Sequence, residues 1–372
     1  MGKRWIIAIL VAASGAAGCA LPPCLPLPGT DAAHVVADIV RALEAAPGAR
    51  PTDPAPRQIA YEAGGRRYQA DLYLGALVPR AGLVLVPGAA PGGRLHPLLT
   101  AFAGSMARAG FAVLVPDVGT LARLEVSADD ARLFADAATY LATRPDLAPG
   151  GRIGAATFSY SVGPAILAAL QPEMRDRVRF ILAVGGYHDI RDVLRFSTTG
   201  WYRDAGAWRH RKPNSYATLV FVLSVLDEIA SADDRRLLRE IADRRLKDPG
   251  ADVADQAARL GSEGRSVFDL ATNRERDRFP TLVAALPAAV RAELDRLDLA
   301  GRDLSELRAR LILVHGENDD IVPFPHSQAL ARAAPQARAY ILRGLDHVEL
   351  RGRLLDGWTL YCAVSDLLGQ RL

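Results

Sequence analysis

A serine with a small residue two positions away on each side carries the first chemical signal of this chain, in Ser159-Tyr160-Ser161-Val162-Gly163. The segment follows the apolar run RIGAATF and precedes VGPAILAAL, so an expected strand hands over to an expected helix there. Small neighbours let the chain turn sharply at such a junction and hold the central hydroxyl, that of Ser161, exposed and strained. The helix N-terminus behind it favours negative charge developing nearby. A neutral serine is a weak nucleophile; it needs a base to take its proton and an acid to orient that base. Both types follow, in His315-Gly316-Glu317-Asn318-Asp319-Asp320-Ile321-Val322-Pro323 after the run ARLILV, and in Arg343-Gly344-Leu345-Asp346-His347 after ARAYIL. Taken singly, Ser161 reads as a helix cap, Asp319 and Asp320 as a turn, and His347 as a loop histidine. Three such groups in this order, each behind an expected strand, read together as a catalytic set.

Gly-x-x-Asp-x-x-Val-Pro after the penultimate strand, then Gly-x-x-His after the last, resembles the acid and histidine loops of α/β-hydrolases, and Ser-Asp-His is that family's chain order. The resemblance runs from about residue 60 to the C-terminus, apart from an insertion. Ser159 stands where the family's elbow has its first glycine. The resemblance implies Ser161 as nucleophile, Asp319 as acid and His347 as base, with Asp320 and Asp189 as rival acids. It places the oxyanion hole at the backbone N–H groups of Val162 and of Ala89, in the loop Pro87-Gly88-Ala89-Ala90, with Ala90 as the alternative donor. Asp117, in Val115-Pro116-Asp117-Val118-Gly119, reads as structural. The implied activity is a serine hydrolase cleaving a small-molecule carboxylic ester through an acyl-enzyme, with no cofactor. A lipase or acyltransferase shares that chemistry; a serine peptidase on the same fold and a non-catalytic surface lipoprotein are the other readings.

The elements that must position these groups are short apolar strands alternating with helical segments. A hairpin is expected over 58–62 and 67–74, and strands over 81–86, 111–115, 152–158 and 178–184. Helices are expected over 98–109, 128–143 and 162–170. The rhythm stops near Tyr187, and until Leu307 the chain shows helical patterns and almost no strand signal. The apolar stretch 216–230 and the charged helix 233–247, capped by Ser231, are its clearest parts. Strands return over 309–314 and 337–342, with helices over 326–334 and 358–368. The expected fold is α/β, a mostly parallel sheet flanked by helices, with core over 58–190 and 308–372 and a helical cap over 191–307. Tyr187-His188 can line the site or lie at the surface. The arginine-rich stretch 203–212 can meet an anion or form a solvated cap surface.

The N-terminus has a different composition. Met1-Gly2-Lys3-Arg4 is a positive head, and Trp5 to Ala17 is an uncharged run of 13 residues, short of the about 20 a spanning helix needs. Ala16-Ala17-Gly18-Cys19 resembles the lipobox of bacterial lipoproteins, with Ala16 in place of the usual leucine. Residues 1–18 therefore read as a signal peptide and Cys19 as a lipidation site; the bland alternative is a plain export signal. A Pro-rich tether and extension, 19–57, follows. The protein is expected outside the cytoplasm, periplasmic or at the outer surface, touching membrane only through the N-terminal lipid. Cys24 and Cys362 can pair in an oxidising compartment, although Cys362 also reads as a small buried hydrophobe. No Cys/His cluster has metal-site spacing. The 372 residues carry Lys+Arg 45 against Asp+Glu 42, a net +3, with no polybasic block to suggest nucleic acid as a partner.

Overall fold

The computed structural model describes residues 31–44, 54–347 and 356–371. The signal segment, Cys19, Cys24 and the tether up to residue 30 lie outside the described residues. In chain order the core begins with helix α1 (Asp31–Glu44), the hairpin β1 (Arg57–Ala63) and β2 (Arg66–Tyr73), and β3 (Ala81–Val86). It continues through α2 (Pro97–Arg108), β4 (Phe111–Pro116), α3 (Gly119–Ala122) and α4 (Asp130–Ala142), then β5 (Ile153–Phe158), α5 (Val162–Ala169) and β6 (Val178–Val184).

An insertion follows. It holds α6 (Ile190–Thr199), the hairpin β7 (Trp201–Asp204) and β8 (Ala207–His210), α7 (Tyr216–Ser224), α8 (Ala232–Lys247), α9 (Ala254–Ala258), α10 (Ser262–Thr272), α11 (Phe279–Ala285) and α12 (Ala288–Leu297). The core then resumes with β9 (Arg310–Gly316), α13 (Pro325–Ala333), β10 (Ala337–Leu342) and α14 (Gly357–Gly369).

Eight strands form one sheet in the order β1-β2-β4-β3-β5-β6-β9-β10. β2 pairs antiparallel with β1 and β4, and every pairing from β4 to β10 is parallel. Parallel strands covered on both faces need apolar residues at successive positions, and all six residues of AGLVLV in β3 are buried. Each fully buried Leu or Val there contributes about 1.5–3 kcal/mol. α1, α2 and α14 cover one face, through Val35, Met106 and Leu367 among others. α4, α5 and the insertion share the core of the other face. Chain direction across the sheet reverses around β3, which has β4 on one side and β5 on the other. The carboxyl ends of β3 and β5 therefore flank a switch point, where open α/β sheets leave a crevice.

Two expectations for the insertion need correction. The stretch 201–210 is a β-hairpin, not a helical or merely charged segment. Ala205 (φ 47°) and Gly206 (φ 83°) form its tight turn, and the Arg203 guanidinium lies 4.5 Å from the centre of the Trp208 ring. The apolar helix expected over 216–230 stops at Ser224, with a separate short turn over 226–228. Ser231 does cap α8, its side chain accepting from the Asp234 N–H. Cys362, on α14, is buried and disulfide-bonded, its partner lying outside the described residues, so its reading as a plain hydrophobe is corrected. No helix among the described residues is long and apolar enough to cross a membrane.

Candidate active site

β5 ends at Phe158, and the next residue makes the turn. Ser159 has φ 56°, a left-handed conformation that a non-glycine residue adopts only when its surroundings impose it. A short turn over 159–161 leads directly into α5. His347 stands five residues beyond β10, and its Nε2 lies 2.6 Å from Ser159 Oγ. Its Nδ1 lies 2.6 Å from Asp319 Oδ2. The carboxylate only accepts, so Nδ1 carries the proton and Nε2 is the acceptor facing the Ser159 hydroxyl. Three loops at the carboxyl ends of β5, β9 and β10 thus place hydroxyl, imidazole and carboxylate on one line.

The expectation that Ser161 stands beside His347 is corrected: Ser159 stands there. Ser161 is buried and its hydroxyl turns back to its own loop: Oγ donates to the Phe158 carbonyl at 2.8 Å and accepts from the Phe158 N–H at 3.2 Å. It braces the elbow and does not reach His347. Gly163, which made Ser161 look like the motif's centre, serves packing instead. A Cβ there would fall 1.9 Å from the Tyr187 hydroxyl oxygen. The small residues flanking the true elbow are Thr157 and Ser161. The signal that could have found Ser159 is its place immediately after the strand.

The candidate oxyanion donors shift with it. The Val162 N–H is spent on the Ser159 carbonyl, so the expectation for Val162 is overturned. The residue after the elbow serine is Tyr160, whose N–H opens the turn and has no acceptor within it. In the loop after β3 the Ala90 N–H bonds the Leu121 carbonyl, which leaves Ala89 as the donor of that pair. The Ala89 carbonyl accepts from the Tyr216 hydroxyl of α7 at 2.8 Å, fixing the loop from the cap side.

Asp319 is fully buried, and each oxygen is held. Oδ1 accepts from the Ile321 and Val322 N–H groups, both at 2.8 Å. Oδ2 meets His347 and, at 3.2 Å, Nε2 of His315. Burial alone would raise this carboxyl; the charge of His347 and the hydrogen bonds from His315 and His347 outweigh it and hold the group well below the usual carboxylate range. His315 itself is read from its partners. Its Nε2 lies 2.8 Å from the Val322 carbonyl, so Nε2 is protonated and Nδ1 accepts from the Ser327 hydroxyl at 2.7 Å. His315 went unrecognised in the sequence, although a histidine four residues before the acid at a strand end was a usable signal.

Of the rival acids, Asp189 is engaged elsewhere by its side chain. Asp189 caps α6 through the Asp192 N–H, and the Asp320 carbonyl accepts from the Asn214 N–H. Asp117 pairs with Arg94 at 3.7 Å, a structural role. Tyr187 is buried with its hydroxyl donating to the Leu297 carbonyl, away from the site. Of the arginine-rich stretch, Arg211 donates to the carbonyls of Glu317 and Asp319 at 3.0 Å and ties the insertion to the acid loop.

Ser159 and His347 face a cavity of about 380 Å³ with mostly apolar walls. Among the described residues, no group of three or more His, Cys, Asp or Glu side chains is arranged to hold a metal ion.

No protein-family model and no curated protein sequence matches the chain. Solved structures do. A putative hydrolase from Legionella pneumophila is 15% identical with a TM-score of 0.52, over 84% of this chain and 88% of that one. The esterase Est1E from Butyrivibrio proteoclasticus is 15% identical over 84% and 98%, with a TM-score of 0.45. An esterase domain from Rhodothermus marinus is 15% identical over 84% and 96%, with a TM-score of 0.43. Two structures of AbyA5, each 17% identical, are matched over only 63% and 66% of their own length, with TM-scores of 0.43 and 0.44. The strand order and the Legionella likeness together give the chain the α/β-hydrolase fold.

Proposed function

We propose that this protein is a serine hydrolase that cleaves a carboxylic ester through an acyl-enzyme on Ser159. One observation carries the reading: a serine held at φ 56° shares a line with His347 and Asp319, with 2.6 Å at each joint. His347 Nε2 takes the hydroxyl proton as Ser159 Oγ attacks the ester carbonyl. Asp319 stabilises the imidazolium that results. The oxyanion gathers the N–H groups of Tyr160 and Ala89. Collapse expels the alcohol, which leaves with the proton from His347. Water then repeats the sequence on the acyl-enzyme, its proton passing to His347 and on to Ser159 as the free acid departs.

The reading includes export and tethering through lipid on Cys19, supported by Ala16-Ala17-Gly18-Cys19 behind a short apolar run. Mass spectrometry of the mature N-terminus tests that part: a diacylated Cys19 is expected, and an unmodified terminus contradicts it. Turnover of aryl esters tests the chemistry. Ser159→Ala should lower kcat/KM by about 10⁴-fold or more in a protein that still melts cooperatively. Full activity in that variant overturns the reading.

A further inference from the structure

Among the described residues, Tyr216 alone of the insertion lines the cavity at Ser159. The cavity continues along the sheet face covered by α1, α2 and α14, where its walls include Phe102 of α2, Leu182 of β6 and Ala363 and Leu367 of α14. It reaches Ile39 and Ala42 of α1, the helix that precedes the whole core. Beyond the serine and histidine, the polar side chains along it include Tyr216, which is spent on the Ala89 carbonyl. The Asp38 carboxylate accepts from Ser105 at 3.1 Å and from Arg108 at 2.6 Å. These groups are satisfied within the protein; His96 and Tyr160 add a polar side chain each, and the rest of the wall is apolar.

We propose that this channel is the acyl site, that the ester's acid part is an unbranched fatty acyl chain, and that α1 limits its length. The proposal rests on the serine-hydrolase reading above. At about 30 Å³ for each water-sized unit, a 380 Å³ cavity takes a chain on the order of ten carbons. α1 is anchored well enough to act as a stop: Asp38 pairs with Arg108 on α2, and Asp31 pairs at 3.2 Å with the buried Arg371. Carbonyl and chain then divide the site, with the carbonyl at Tyr160 and Ala89 and the chain running toward Ile39 and Ala42.

The test is a chain-length series of 4-nitrophenyl esters from acetate to dodecanoate, with fluorophosphonate titration of active enzyme in every variant. In the unmodified protein kcat/KM should rise about three- to fourfold per methylene and level off near ten carbons. Ala42→Phe, which fills the channel, should cut decanoate turnover at least 30-fold and leave acetate within about twofold. A flat or falling series in a protein that labels fully, or an equal loss on all esters in Ala42→Phe, overturns the proposal. Should that variant not fold, Ile39→Ala must move the preferred chain at least two carbons longer, and an unmoved optimum overturns it. Absence of labelling in the unmodified protein would remove the parent reading instead. The channel is then judged by calorimetric titration with decanoic acid: saturable binding lost in Ala42→Phe supports it, and no binding overturns it.

Discussion

The acid of the site is held by more than its histidine. Oδ2 of Asp319 is shared between His347 and the buried His315, while Oδ1 takes two backbone N–H groups. His315 touches no substrate and acts as a positioning residue. Its loss frees the carboxylate to swing and leaves it more basic, so His347 holds its proton more tightly. We expect His315→Ala to lower kcat about tenfold with KM little changed, and to move the acid limb of the kcat/KM profile to higher pH. His315→Gln, which keeps a donor, should recover part of both effects. Unchanged pH dependence in His315→Ala would show the residue to be packing alone. The same scale shows where the sequence misled. Two serines stand two apart, Ser159 and Ser161, and Gly163 completes a motif around the second. The glycine owes its place to the Tyr187 hydroxyl, and only the strand end at Phe158 distinguishes the two serines. Asp319 and His347 were legible because each sits in a short loop behind a strongly apolar strand.

Elements determine whether those side chains meet. Gly316 ends β9 where the histidine loop crosses it, and a Cβ there would stand 1.9 Å from the Asp346 carbonyl oxygen and 2.2 Å from that of Leu345. Backbone cannot step aside as a side chain can, so Gly316→Ala must displace the His347 loop. A fall of about 100-fold or more in kcat is expected, with a lowered Tm. Gly369→Ala, at a site with nothing within 4 Å, serves as the silent control. Tyr216→Phe removes the tie from α7 to the Ala89 carbonyl and should lower kcat about three- to tenfold, read from steady-state kinetics. The strands and most helices were readable from apolar runs, β3 and β10 to the residue. The hairpin over 201–210 was not, because its strands are short, charged and stabilised by arginine stacking on Trp201 and Trp208 rather than by alternating burial.

At the scale of the molecule, the core and the insertion are joined through groups that titrate. His326, on α13, is buried, and its Nδ1 faces the N–H groups of His188 and Asp189 at 3.4 and 3.5 Å, where the insertion begins. Burial first, then the neighbouring His315, His188 and Arg195, push it down to about 3, against the opposing pull of Asp319. A histidine free in the unfolded chain takes a proton near 6.5, so between pH 6.5 and about 3 the unfolded state binds more protons and stability falls as pH drops. The slope from this one group approaches about 1.4 kcal/mol per pH unit at most. Urea melts between pH 7 and 4 should show that loss, and His326→Asn should flatten it; an unaltered slope in the variant would contradict the assignment. The channel bounded by α1 belongs to this scale as well, since it joins the N-terminal helix, two core helices and the elbow in one cavity. No sequence pattern announced it, because α1 lies in the segment 19–57, which read only as a tether and extension ahead of the core.

The most direct test of the account is covalent. The full chain, Ser159→Ala and Ser161→Ala are treated with a fluorophosphonate probe, and the modified peptide is mapped by mass spectrometry. Modification at Ser159, abolished in Ser159→Ala and retained in Ser161→Ala at a similar rate, is the predicted result. Modification at Ser161, or labelling that survives Ser159→Ala, would contradict it.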